Sequence, residues 1–162
     1  MKKVKKFKMF KDGKIEGVVI KKLKSFTDDR GWLMELFRKD ECVDFEPAMS
    51  YISVTHPSAA RGPHEHKGQT DYFCFLGKFT LYLWDNRKKS PTYNNKQVIE
   101  NADRLAVIVP PGVVHGYKNI GEEDAMVINF PDRLYAGRDR KEKVDEIRYE
   151  NDSETPFRIQ DA

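Results

Sequence analysis

Short apolar or alternating runs recur along this 162-residue chain and limit what it can fold into. Val18-Val19-Ile20, Trp32 to Phe37, Met49 to Thr55, Tyr72 to Leu76, Phe79 to Trp84, Leu105 to Val109 and Ala125 to Phe130 each read as a strand. Turn signals separate them, at Thr27-Asp28-Asp29-Arg30-Gly31, Lys88-Lys89-Ser90-Pro91, Tyr93-Asn94-Asn95 and Asn119-Ile120-Gly121. Gly77-Lys78, between two such runs, reads as a two-residue hairpin loop. Only Arg138 to Ile147 looks helical, as a short charged element near the C-terminus. Many short strands at this spacing predict an all-β sandwich or barrel. The length suits one domain over 1–162, with a basic arm at 1–14 and a loosely held tail at 152–162.

Composition narrows the setting. Apolar residues make up 39% of the chain and charged residues 34%, an ordinary profile for a protein in water. No run approaches the ~20 apolar residues of a membrane helix, and no secretory pattern opens the chain. Cys42 and Cys74 make no CxxC pair, and Cys74 sits in an apolar run, where a buried thiol is expected. A reducing cytoplasm follows as the expected compartment. The net charge of +3 hides an asymmetry: residues 1–24 carry ten lysines against Asp12 and Glu16, leaving the remainder at −5. Lysines on a strand edge discourage sheet-to-sheet aggregation. No aromatic interleaving or base-reading motif accompanies them, so no nucleic-acid or membrane partner is expected.

Three of the four histidines fall in two short segments, Arg61-Gly62-Pro63-His64-Glu65-His66 and Pro110-Pro111-Gly112-Val113-Val114-His115-Gly116-Tyr117-Lys118-Asn119. Side chains alternate faces along a strand, so His64 and His66 point the same way, roughly 6–7 Å apart. With His115, three imidazoles can converge on one site. Imidazole can be a general base or a metal ligand near neutral pH. His56, which precedes Pro57, reads as a solvated loop residue.

This pattern resembles the cupin superfamily. His64, His66 and Gly77 fit its first motif; Pro110, Gly112, His115 and Asn119 fit the PxGxxHxxxN of its second. The resemblance implies a double-stranded β-helix, a small jelly-roll barrel with its site at the mouth. Two chemistries fit such a site. In one, His64, His66 and His115 hold a divalent metal, with Asp71 at the edge of the expected spacing for the completing carboxylate. In the other no metal binds, and one histidine is a base toward a sugar.

Four further blocks bear on the choice. Phe26-Thr27-Asp28-Asp29-Arg30-Gly31-Trp32-Leu33-Met34-Glu35, Ala60 to His64, Leu83-Trp84-Asp85-Asn86-Arg87 through Ser90-Pro91-Thr92-Tyr93, and Ile108 to Tyr117 follow in that order. Together they resemble dTDP-4-dehydrorhamnose 3,5-epimerase over roughly residues 15–150. The resemblance implies a dTDP-linked 4-keto-6-deoxy sugar as substrate, a role in cell-surface polysaccharide synthesis, no metal or cofactor, and a homodimer with a strand exchanged between subunits. Inverting a carbon α to a ketone needs a base on one face, enolate stabilisation, and an acid on the other face. His64 aligns with the family's RGxH histidine and would be the base. Asp145 or Glu142 would be the carboxylate that orients it. Arg61 and His115 would stabilise the oxyanion or position the sugar, with His66 beside them. Arg30 and Glu35 correspond to contacts on the nucleotide side, where an arginine fork suits diphosphate.

Two positions depart from the family. Asn129 stands where the family's proton-donating tyrosine is expected, and Thr70 near its active-site lysine. Tyr135, Tyr72 and Tyr117 are the alternative donors. His64-Glu65-His66-Lys67 also resembles the HxHK of nucleotide-sugar 3,4-ketoisomerases. A ketoisomerase, a metal-dependent cupin enzyme and a non-catalytic sugar-nucleotide binding module therefore stand beside the epimerase. Asp85 and Arg87, next to Ser90-Pro91-Thr92, read as a lock on a loop.

Overall fold

The computed structural model describes residues 9–159. Its strands in chain order are β1 (Lys11–Asp12), β2 (Val19–Lys22), β3 (Ser25–Asp28), β4 (Gly31–Met34), β5 (Tyr51–Thr55), β6 (Ala60–Glu65) and β7 (Asp71–Leu76). They continue with β8 (Phe79–Asp85), β9 (Asn95–Ala102), β10 (Leu105–Val109), β11 (Val113–Asn119), β12 (Ala125–Asn129) and β13 (Ile147–Arg148). One sheet runs β1-β9-β8-β11-β6-β13, the other β2-β10-β7-β12-β5, and β3-β4 form a separate hairpin. The two sheets are the halves of an all-β cupin barrel, as expected.

Alternation along the strands builds the core. Phe79, Leu81 and Leu83 of β8 point between the sheets and meet Phe73 and Phe75 of β7, Val107 and Val109 of β10, and Val127 of β12. Each such side chain, fully buried, contributes on the order of 2 kcal/mol. The outward positions are covered as well. Tyr82 and Trp84 pack under Phe10 and Phe157, while Tyr72 and Cys74 pack under Leu36, Phe37 and Phe45. All six of the aromatic residues from Tyr72 to Trp84 are therefore buried.

Three expectations need correction. Gly77-Lys78 does not close a hairpin, because β7 and β8 lie in different sheets. It is a corner, and only glycine fits: Gly77 has φ 122°, and a Cβ there would lie 2.5 Å from the Ala125 Cβ. The helix expected over 138–147 is reduced to one 3-10 turn, Arg138–Arg140, with Asp139 at φ 56° and Arg140 at φ 57°. No buried apolar stripe holds this segment as a helix, and it goes extended to pair β13 with β6. The tail from 152 is not loose as far as Ile159. Phe157 is 3% exposed against Trp84, because that ring needs a cover. The polar strand β9, between β1 and β8, has little apolar signal in the sequence, yet it pairs with β8 over most of its length. The basic arm falls largely on residues 1–8, outside the described residues; Lys11 pairs in β1 at the edge of the first sheet.

Candidate active site

Antiparallel pairing of β6 with β11 puts His64 directly opposite His115. Gly62 permits this close approach: a Cβ there would lie 2.7 Å from the His115 carbonyl oxygen. The two rings stand 4.4 Å apart between centroids, and His66 follows at 5.6 Å from His64 and 5.8 Å from His115. Between them, Glu65 turns to the other face, where Asn86 and Tyr149 donate to its carboxylate. From the opposite sheet, inward positions of β7, β12 and β5 bring Asp71, Asn129 and Tyr51 toward the same region. The three imidazoles thus converge as their spacing implied.

Each imidazole has its own setting. His115 is 1% exposed; its Nδ1 lies 3.0 Å from the Val113 carbonyl, and burial holds the ring neutral. His66 has its Nδ1 on the Asp145 carbonyl and its Nε2 3.2 Å from Asp71 Oδ2. Burial opposes charge on His66, but Asp71 overrides it and raises the ring to about 9, so it is an imidazolium at neutral pH. Asp71 is buried, which disfavours its charge, yet His66, His115 and the Asn129 amide hold it ionised, below the usual carboxylate range. His64 keeps 18% of its side chain exposed, and no hydrogen bond from a described residue reaches its ring. Burial, then the neighbouring His115 and His66, keep it neutral.

His64 and His66 open onto a cavity of about 1420 Å³, large enough for a nucleotide sugar. Tyr51 and Tyr117 line it, and its walls mix Arg61, Arg133, Arg138, Arg140, Lys143 and Arg148 with an equal number of carboxylates, among them Glu142 and Glu146. An arginine fork among them suits a diphosphate. Arg61 is anchored, donating to Thr55 Oγ1 at 3.1 Å and to the Val54 carbonyl at 2.7 Å.

Other expected site residues stand elsewhere or in other roles. The Asp145 carboxylate accepts from the backbone N–H groups of Lys67, Gly68 and Gln69 at 2.8–3.1 Å and so fixes the turn after β6. The acid beside His64 is Glu146, with Oε1 3.8 Å from His64 Nε2. Glu142 and Tyr135 lie at the cavity rim, Tyr135 55% exposed. Tyr72 is on the outer face, donating to the Leu36 carbonyl. Tyr117 shares its hydroxyl with Ser53 at 3.2 Å. Arg30 sits on the β3-β4 hairpin, bonded to Asp28, and Glu35 pairs with Arg38; neither lines the cavity. His56 pairs with Asp124 on the surface. Asp85 does lock a loop, accepting from Arg87, Ser90 and Thr92.

Several of these groups also fit a metal. His64, His66 and His115 offer ligand atoms all within 4.8 Å of one another. His115 Nε2 and Asp71 Oδ2 are buried with no aligned hydrogen bond among the described residues, although His66 Nε2 at 3.2 Å and His115 Nε2 at 3.5 Å both face that oxygen. Both Nδ1 atoms facing carbonyls leave the Nε2 atoms pointing inward, an arrangement common around metals.

The dTDP-4-dehydrorhamnose 3,5-epimerase family matches residues 12–152. This chain belongs to that family. It is accordingly an isomerase of the sugar-nucleotide epimerase class. A probable low-salt glycan biosynthesis epimerase of Haloferax volcanii is 37% identical over 134 residues, covering 80% of this chain and 86% of the relative. The spore coat polysaccharide biosynthesis protein SpsL of Bacillus subtilis is 32% identical over 144 residues, covering 87% and 93%. Among solved structures, a dTDP sugar isomerase from Desulfovibrio desulfuricans superposes with a TM-score of 0.74 at 22% identity over 86% of this chain and 87% of that one, which supports the fold. ChmJ, a 3'-monoepimerase from Streptomyces bikiniensis in complex with dTDP-quinovose, has a TM-score of 0.69 at 26% identity, covering 77% and 68%.

Proposed function

We propose that this protein epimerises a dTDP-linked 4-keto-6-deoxy sugar in the cytoplasm, during synthesis of a surface polysaccharide. One observation carries the mechanism: His64 is neutral, takes no hydrogen bond from a described residue, and opens to a cavity whose walls hold several arginines. His64 takes the proton α to the ketone. Burial makes the resulting imidazolium costly, and Glu146 at 3.8 Å is the charge that offsets it. His66, already charged through Asp71, faces the same cavity and stabilises the enolate oxygen. His115, sealed beneath, holds its neighbours in place rather than touching sugar. The rim arginines take the diphosphate.

Arg30 and Glu35 reach a site only across a subunit boundary. Their hairpin exposes Phe26, Trp32 and Leu33 at 46%, 57% and 62%. A homodimer that exchanges this segment would cover those side chains and deliver both residues to the partner's cavity.

The test is incubation with dTDP-4-keto-6-deoxyglucose, read by proton NMR. Inversion at C3, C5 or both is expected. A 3-keto product would make the protein a ketoisomerase, and binding without conversion a binding module.

A second reading is favoured by the unpartnered His115 Nε2 and Asp71 Oδ2, which a divalent cation would satisfy together with His64 and His66. Such a cation would act as a Lewis acid on the ketone. Elemental analysis of the purified protein separates the readings: stoichiometric metal, lost in His115→Ala, supports this one.

A further inference from the structure

Epimerisation needs an acid facing the base, and the amide at Asn129 cannot be one. The pairing of β12 with β5 sets Asn129 directly opposite Tyr51. Asn129 is buried, and Tyr51, though 44% exposed overall, brings its hydroxyl to 3.1 Å from Asn129 Nδ2. That same nitrogen donates to Asp71 Oδ1 at 2.7 Å, so its position is fixed from two sides. An amide N–H can only donate, so the phenol oxygen is the acceptor. Its own O–H has no other partner among the described residues and is free to turn into the cavity, which Tyr51 lines with His64.

The other tyrosines near the site are committed or misplaced. Tyr117 shares its hydroxyl with Ser53, Tyr72 donates to a carbonyl on the outer face, and Tyr135 stands at the open rim. Tyr51 also comes from the second sheet, whereas His64 comes from the first. Base and phenol therefore come from opposite sheets and line the same cavity.

We propose that Tyr51 is the proton donor of this enzyme, its phenol replacing one strand over the tyrosine that Asn129 displaces, with Asn129 as the residue that aims it. The inference rests on the epimerase reading above. His64 removes the proton from the carbon α to the ketone, and the bonding pair becomes the enolate. The enolate carbon then takes the Tyr51 hydroxyl proton on its other face, the C–H bond forming as the O–H bond breaks. The phenolate, held by the Asn129 N–H, regains a proton from water, and His64 releases the one it took. Burial raises the phenol to about 12, which keeps it protonated until the enolate forms.

The test uses Tyr51→Phe in the full chain, with dTDP-4-keto-6-deoxyglucose in deuterated water. Proton NMR follows exchange at the α carbon and configuration separately. The wild type should exchange and invert together. Tyr51→Phe should still exchange, because His64 returns solvent deuterium to the face it deprotonated, while inversion falls by about 100-fold or more. Inversion at the wild-type rate in Tyr51→Phe overturns the proposal, as does loss of exchange and inversion together in a variant that keeps its melting temperature and binds dTDP. Exchange absent from the wild type would instead overturn the epimerase reading, and this inference with it. If Tyr51→Phe does not fold, Asn129→Leu keeps the phenol but not the group that aims it. Its inversion should drop roughly tenfold relative to exchange; an unchanged ratio overturns the proposal.

Discussion

Glu146 and Asp145 are chain neighbours with different work. Glu146 faces His64, whereas Asp145 ties down three backbone N–H groups after β6. Glu146→Gln should therefore slow α-proton exchange by about tenfold with little change in melting temperature, since one charge near the base is lost. Asp145→Asn should do the reverse, costing about 2 kcal/mol in denaturant unfolding through its charged hydrogen bonds. Strand parity puts His64 and His66 on one face, and the resemblance to the second cupin motif adds His115. Asp71 was legible only as a spacing at the edge of a motif. Tyr51 and Glu146 were not, because each meets the site through pairing between distant strands: β5 with β12, and β13 with β6.

At the scale of elements, strand existence could be read wherever apolar residues alternate or run together, as in β7, β8, β10 and β12. Which sheet a strand joins could not. A two-residue link looks the same whether it closes a hairpin or turns a corner, and the difference at Gly77 lies in its contact with Ala125. Gly77→Ala should cost about 2–4 kcal/mol, from left-handed strain and overpacking together, measured by chemical denaturation. The loop after β8 supplies a pH prediction. Burial disfavours the Asp85 charge, but Arg87, Ser90 and Thr92 overcome it and depress the carboxyl to about 2. A depressed carboxyl stabilises the fold above its unfolded value and ceases to do so as pH falls through its folded value. Asp85→Asn should therefore cost about 2 kcal/mol near pH 7, with the gap to wild type closing between about pH 5 and pH 2.

For the whole molecule, two sheets meet over one core, and each outer face receives a cover from segments that read poorly in the sequence. Phe157 shows this: it falls in a polar stretch, yet it caps Trp84. The β3-β4 hairpin keeps Phe26, Trp32 and Leu33 together in the open, and the proposed homodimer would cover them. Trp32→Glu should shift the protein from twice the chain mass to once in sedimentation, and should weaken dTDP binding if Arg30 serves the partner's cavity.

The central claim is that the His64 imidazole removes hydrogen from the carbon next to the sugar ketone. It is tested most directly by following uptake of solvent deuterium into dTDP-4-keto-6-deoxyglucose, comparing wild type with His64→Ala. Uptake by the wild type and none above background in a folded, dTDP-binding His64→Ala protein is the expected result. Equal uptake by both would contradict the claim.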